Sequence, residues 1–169
     1  TISNAWGSDI GGLAYPYSCK ASSDPVRLRM VQDAGYRYAR NCIVTGNYNV
    51  PESFYDLNPT GWVSIERDWN NGTTRKHMEN FKAMDASSEW KLMLMSGHAW
   101  QFNADETAAE PRGDIWAEFE EFVKYLEDNK DTIWNPTTIE LADYVTACRR
   151  LTVTKNDTGA SIYNPADIT

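Results

Sequence analysis

The sequence has few of the residues that build metal sites and disulfide frameworks. It contains three cysteines and two histidines in 169 residues. No two cysteines have the C-x-x-C spacing of a zinc site, and at most one disulfide can form, which leaves one thiol. His77 lies in a charged stretch that predicts a helix, and we expect its ring to be exposed. His98 is the histidine that needs a functional explanation.

Positive charge and long apolar runs are also scarce. Lys and Arg number 16 against 24 Asp and Glu, which gives a net charge of −8. An acidic chain repels a phosphate backbone, so we expect no nucleic-acid partner. No apolar run approaches the roughly 20 residues of a membrane span, and the first ten residues lack a signal-peptide pattern. We therefore expect no membrane span.

Aromatic residues, in contrast, are abundant. The chain has seven Trp, nine Tyr and five Phe. Most aromatic rings serve the core, but rings beside hydrogen-bonding side chains also suit sugars, which have apolar faces and hydroxyl edges. A length of 169 residues is that of one domain, so we expect residues 1–169 to form a single domain.

Helical and strand patterns alternate along the chain. The helix at 22–35 is predicted to bury Val26, Met30, Val31 and Ala34 and to end at Gly35. Residues 41–72 are loop-rich. This order predicts an α/β fold of parallel strands with crossover helices that ends in a short β-hairpin at 151–164. Strands are predicted at 11–15, 36–40, 91–95 and 131–135, and further helices at 73–87, from 114 onward, and at 136–149.

Several polar and aromatic residues follow these predicted strands. In parallel α/β folds, ligands bind at the carboxyl ends of strands, where loops leave the sheet. The stretch LMLMSGHAWQF, residues 92–102, ends its apolar run on a Gly-His pair. Tyr15, Pro16 and Tyr17 come at the end of the first strand, and Arg40 at the end of the second. His98 and Trp100 follow the 91–95 strand, and Trp134 has the same kind of place at the end of the 131–135 strand.

Four motifs, in the order GGLAYPY, GYRYAR, SGHAWQF and FVKYLEDNKDTIWNPTTIELADYV, resemble the polysaccharide deacetylases, which are carbohydrate esterases of family four. The resemblance covers most of residues 10–165. It implies an irregular (β/α) barrel of about seven strands, of which this chain would be the C-terminal portion. It also implies an acetylated polysaccharide or oligosaccharide as the substrate and a location outside the cell or in its envelope.

The resemblance assigns roles to residues that match the motifs. His98 would be the general acid, and the backbone N–H of Tyr17 would stabilise the oxyanion. A divalent metal, usually zinc, would polarise the acetyl carbonyl and hold the attacking water. Arg40 could orient a catalytic carboxylate. The substrate-binding residues would be Tyr15, Pro16, Arg40, Trp100 and Trp134.

Two motifs of that family are missing from this sequence. No two aspartates are adjacent, and His77 and His98 are too far apart for an H-x-x-x-H pair. We therefore expect this chain alone to bind no metal and to be inactive alone. Its metal ligands would come from N-terminal residues outside this stretch or from a second chain. The alternatives are a non-catalytic carbohydrate-binding relative and an unrelated α/β interaction domain.

Overall fold

The computed structural model describes residues 10–16, 24–63, 74–84, 89–103 and 115–165. Four α-helices and six short strands lie in this part of the chain. The strands are β1 (Gly12–Ala14), β2 (Tyr38–Arg40), β3 (Gly61–Trp62), β4 (Met95–Ser96), β5 (Thr152–Asn156) and β6 (Gly159–Tyr163). The helices are α1 (Pro25–Asp33), α2 (Thr74–Lys82), α3 (Trp116–Asp128) and α4 (Thr138–Arg150), with short 3₁₀ turns at Phe54–Asp56 and Ala99–Phe102.

The first four strands form two parallel pairs. β1 pairs with β2, and the end of β2 forms a parallel bridge from Arg40 to Leu57. The chain then continues from Leu57 into β3, which pairs in parallel with β4. Among the described residues the regular pairing forms three two-stranded sheets, without a closed barrel. Hydrogen bonds from Tyr15 to Arg40 and from Arg40 to Ser96 bring the carboxyl ends of β1, β2 and β4 together.

Local sequence signals explain where the helices begin and end. The Asp24 side chain accepts a hydrogen bond from the Val26 N–H and caps α1, whose first residue is Pro25. Gly35 follows α1 with a φ of 82°, a conformation that glycine adopts without strain. Thr137 and Glu140 form a reciprocal capping box at the start of α4, in which each side chain accepts a hydrogen bond from the other residue's backbone N–H.

The core packs α4 against the segment between β2 and β3. Its buried cluster contains Phe54, Leu57, Ala142 and Val145. Because Leu57 also pairs with the end of β2, the core holds the strand edge in place. The Arg37–Asp143 pair joins the same two regions, with N and O 2.7 Å apart. Both side chains are more than a third exposed, so the pair contributes little beside the apolar contacts.

The apolar faces predicted for the helices are only partly correct. Val31 is buried, but Val26 and Met30 of the face predicted for α1 are mostly exposed. In α3, Phe122 is buried, whereas Val123 is 48% exposed. The spacing of apolar residues therefore located these helices but did not predict how much of each helix face is buried.

Other predictions about strands and burial were wrong. Residues 131–137 form turns and irregular structure, with no strand at 131–135. The strand predicted at 91–95 is confined to Met95–Ser96, and β3 lies within the stretch that we interpreted as loop. His77, which we expected to be exposed, is 1% exposed, because α2 turns this part of its charged sequence toward the interior.

An antiparallel hairpin of β5 and β6 lies within residues 151–164, where the sequence predicted one. The two strands pair from Thr152 with Tyr163 to Asn156 with Gly159. The Asn156 side chain accepts a hydrogen bond from the Thr158 N–H at 3.1 Å, which closes the turn. Every residue of both strands is exposed. No helix in the described ranges has the length and apolar character needed to cross a membrane.

Candidate functional site

Arg40 connects the carboxyl ends of three parallel strands. Its backbone carbonyl accepts a hydrogen bond from the Tyr15 N–H at 2.9 Å, just beyond β1. Its Nη1 donates to Ser96 Oγ at 2.8 Å, at the end of β4. The same Nη1 donates to the Asn41 carbonyl at 3.1 Å. A planar guanidinium with several fixed donors can hold separate strand ends in one arrangement.

His98 lies two residues beyond Ser96 and is exposed. Its ring meets the Trp62 ring edge to face, with centroids 5.7 Å apart and planes at 78°. Trp62 is half-buried in β3, so it restrains the imidazole and leaves it open to solvent. We call Tyr15, Arg40, Trp62, Ser96 and His98 the strand-end site.

The two histidines lie near neighbouring residues of β3 and have different environments. A Cβ on Gly61 would come within 2.5 Å of the His77 ring, so β3 and α2 are in close contact there. His77 is buried, and its Nδ1 lies 2.9 Å from Tyr48 Oη. Successive residues of a strand point to opposite faces, which agrees with Gly61 meeting His77 and Trp62 meeting His98. Only His98 is accessible to a ligand.

A polar network supports the strand-end site from the turn at Phe54–Asp56. Asp56 Oδ1 accepts from Asn41 Nδ2 at 3.0 Å and from Asn58 Nδ2 at 3.2 Å. Asn41 is fully buried, and buried amides need such partners. The network fixes the chain on both sides of the Arg40–Leu57 bridge.

Tyr15 is half-buried beside this network. Its hydroxyl donates to the Tyr55 carbonyl at 3.3 Å. Burial, and to a lesser extent the Asp56 carboxylate, raises the pKa of Tyr15 above its ordinary value, because both disfavour the phenolate. Pro16 follows and is exposed. Tyr15 thus lies beside Arg40 at the end of β1, and Pro16 is open to solvent.

The three remaining predicted site residues, Tyr17, Trp100 and Trp134, have different placements. Tyr17, whose N–H the resemblance assigns to the oxyanion, lies outside the described residues. Trp100 belongs to the turn Ala99–Phe102 directly after His98. Trp134 lies elsewhere, because its ring packs against Tyr144 of α4 and lines a cavity with Lys91 and Leu92. Those two residues precede β4, whereas His98 follows it.

Trp62 and the buried amide Asn41 were not predicted as site residues from the sequence. Trp62 lies in a two-residue strand, which is too short to produce an alternating pattern. Asn41 directly follows Arg40, and its position after a predicted strand was the available signal.

The described residues do not fit the metal that the resemblance implies. Within the ranges that the structure covers, no three His, Cys, Asp or Glu side chains lie close enough together to hold a metal ion. Cys42 is in a disulfide, and Cys148 is a free thiol. A catalytic zinc needs three protein ligands, and this part of the chain does not provide them.

Comparison of the chain with protein-family models, with curated proteins and with solved structures gave no match in any of the three.

Proposed function

We propose that this chain is the acid-bearing part of a deacetylase that acts on acetylated polysaccharide, and that His98 is its general acid. The observation that supports this most is the exposed His98 ring held against Trp62 directly after β4. Imidazole can give up a proton near neutral pH. An exposed imidazole at a strand end can reach a ligand in the adjoining loops.

The chemistry assigned to His98 is protonation of the leaving group. Removal of an acetyl group from a sugar expels an amine or an alkoxide, and both are poor leaving groups unless they gain a proton. A positioned general acid contributes about 10²- to 10⁴-fold to such a step. Trp62 restrains the imidazole, and its half-buried ring also provides an apolar surface beside the sugar.

Arg40 is proposed as a positioning residue. Its bonds to Ser96 Oγ and to the Asn41 carbonyl fix the end of β4, and through it the start of the loop that carries His98. Tyr15 and Pro16 would line the sugar pocket, with Trp100 close to His98 in sequence. The N–H of Tyr17 would stabilise the oxyanion.

The metal ligands would come from N-terminal residues outside this 169-residue sequence or from a second chain. The sequence has neither an Asp-Asp pair nor an H-x-x-x-H pair. This part of the proposal predicts that purified chain alone contains no stoichiometric zinc. Metal analysis of the 169-residue protein tests it, and one zinc per chain would contradict it.

The experiment for the catalytic claim uses the complete open reading frame that contains this sequence. Acetate release would be measured on acetylated chitooligosaccharide and acetylated xylan with added zinc. We expect His98→Ala to lower turnover about 100-fold. The matched control is Lys124→Ala, which removes an exposed i,i+4 ion pair with Asp128 within α3 and should leave turnover unchanged, because α3 carries no residue of the strand-end site. Undiminished turnover in His98→Ala would refute the general-acid role.

A non-catalytic carbohydrate-binding protein is the second candidate. The contact between His98 and Trp62 also favours this function, because an exposed imidazole beside an indole can bind a sugar without cleaving it. Calorimetry with acetylated oligosaccharides, combined with an acetate assay on the complete protein, distinguishes the two functions. Binding without acetate release would favour the second candidate.

A further inference from the structure

Three exposed aromatic rings lie together on a surface that the proposed function does not use. Trp90 is 56% exposed, Trp134 is 55% exposed and Tyr144 is 46% exposed. Tyr144 stacks on Trp90, with centroids 5.8 Å apart and planes at 29°. It also meets Trp134 edge to face at 5.1 Å. We call these three residues the aromatic platform.

The aromatic platform is separate from the strand-end site. Tyr144 projects from α4, Trp134 lies in the irregular segment before that helix, and Trp90 lies before the segment that leads into β4. His98 lies beyond the other end of β4. The two surfaces are therefore at opposite ends of residues 91–96.

A groove with the volume of a small-molecule site adjoins the aromatic platform. A cavity of about 570 Å³ lies between the Trp90 and Trp134 side chains, with Leu92 and Leu141 in its lining. A shallower cavity of about 420 Å³ shares Trp90 and extends toward Arg149. Ligand sites typically measure about 300–1,000 Å³, whereas a protein partner needs a contact of about 800 Å² per side. The groove therefore suits a small or linear ligand, with Trp90 at its middle.

The charged side chains along the groove are engaged in contacts within the protein. Lys91 Nζ lies 2.9 Å from Glu89 Oε2. The Arg149 guanidinium donates to the carbonyls of Pro51 and Glu52 at 2.8 and 2.9 Å. An ionic ligand would have to compete with these bonds. A neutral ligand with apolar faces and hydroxyl edges would stack on the rings and use the remaining polar groups, among them Thr132 and Asn49.

We propose that the aromatic platform is a binding site for a neutral polysaccharide chain, with pyranose rings stacked on Trp90 and Trp134. Pyranose rings have the faces and edges that this groove complements. The site would hold a polymer at a distance from the strand-end site. It does not depend on the deacetylase proposal, since no residue of the platform belongs to the catalytic group.

The test uses oligosaccharides without acetyl groups, so that binding is independent of deacetylation. Xylohexaose and cellohexaose would be titrated into the 169-residue chain and followed by calorimetry and tryptophan fluorescence. We expect saturable binding of at least one of them. Trp134→Ala and Trp90→Ala should weaken that binding about tenfold, the equivalent of one aromatic contact, and Trp134→Phe should retain most of it.

Matched variants make the result specific. Trp116→Phe changes a tryptophan that is 39% exposed and packs on Phe102, away from the platform, and it should bind as tightly as the unchanged chain. His98→Ala should also leave this binding intact, whatever it does to acetate release. If an alanine variant fails to fold by circular dichroism, Trp90→Phe and Trp134→Phe combined should still weaken binding.

Three results would overturn the proposal. The first is no binding of either oligosaccharide at millimolar concentration. The second is equal affinity in the unchanged chain and in a folded platform variant. The third is a dimer, seen by light scattering, that Trp134→Ala dissociates, because a second copy of the chain would then occupy the groove.

Discussion

The Arg40 guanidinium donates a hydrogen bond to Ser96 Oγ at 2.8 Å and so joins the ends of β2 and β4. The two residues are 56 positions apart in sequence. Arg40 is half-buried and Ser96 is 9% exposed. A hydrogen bond to a charged group in such a place is worth about 1.5–3 kcal/mol.

We predict that Arg40→Met and Ser96→Ala are coupled in stability. Each removes the same bond, so the double variant should be less destabilised than the sum of the two single variants, by about 1 kcal/mol or more. Urea unfolding of the four proteins measures this coupling. Arg29→Met is the control, because the Arg29–Asp33 pair is largely exposed and its loss should cost under about 0.5 kcal/mol. Strict additivity at Arg40 and Ser96 would mean that the bond does not tie the strands together.

Gly61→Ala should destabilise the protein by about 1–3 kcal/mol. The added Cβ would lie 2.5 Å from the His77 ring, and that ring is buried and bonded to Tyr48, so it has little room to move. Gly159→Ala is the matched control, because nothing lies within 4 Å of a Cβ there. We expect the control to change the free energy of unfolding by less than about 0.5 kcal/mol. Equal effects of the two substitutions would show that β3 and α2 are not in close contact.

Removal of the capping box should weaken α4. Thr137→Ala deletes the hydroxyl that caps this helix, and loss of such a cap costs about 1 kcal/mol. Since α4 carries Ala142 and Val145 of the core, the cost should appear in global unfolding by heat or urea. A loss of helical circular dichroism without a change in the unfolding midpoint would contradict this.

The same box should make stability depend on pH in the acid range. Hydrogen bonds from the Thr137 hydroxyl and from its N–H lower the pKa of Glu140. A lowered pKa contributes stability that is present above about pH 4.3, the ordinary value for Glu, and is lost as the pH falls through the lowered value. Glu140→Gln should reduce the slope of stability against pH below that value. Glu121→Gln, on the exposed face of α3, is the control and should leave the slope unchanged.

At alkaline pH, Tyr15 should make the stability of the protein fall as the pH rises. Burial and the Asp56 carboxylate raise the pKa of Tyr15. The stability linked to this raised pKa is fully present below about pH 10, the ordinary value for Tyr, and is lost as the pH rises through the raised value. Tyr15→Phe should therefore flatten the decline in stability above pH 10. Denaturant unfolding at several alkaline pH values measures the slope, and an unchanged slope would contradict the environment described for this ring.

Local signals in the sequence predicted the helices better than the strands. Gly35 acts within one helical turn, so the sequence alone located the end of α1, and the helix predicted at 136–149 agrees with α4 to within two residues at each end. β3 and β4 have two residues each and are held by pairing with each other. A pairing between residues 61 and 95 depends on the tertiary fold, so no local pattern encodes it.

The strand-end site also combines features that the sequence predicts with contacts that depend on the tertiary fold. The position of His98 after an apolar run was visible in the sequence, whereas its contact with Trp62 depends on the β3–β4 pairing. Trp134 was assigned to the same site because a strand was predicted at 131–135. In the structure, turns and irregular chain replace that strand, and the Trp134 ring packs against Tyr144 of α4. No spacing rule in the sequence identifies this contact.

The central claim is that His98 protonates the leaving group of an acetylated sugar, and a comparison of two substrates tests it most directly. Turnover of the complete protein and of its His98→Ala variant would be measured on acetylated xylan and on 4-nitrophenyl acetate, whose leaving group departs without a proton. We expect a loss of about 100-fold on xylan and only a small loss on 4-nitrophenyl acetate. Equal losses on both substrates, or no loss on xylan, would contradict the role proposed for His98.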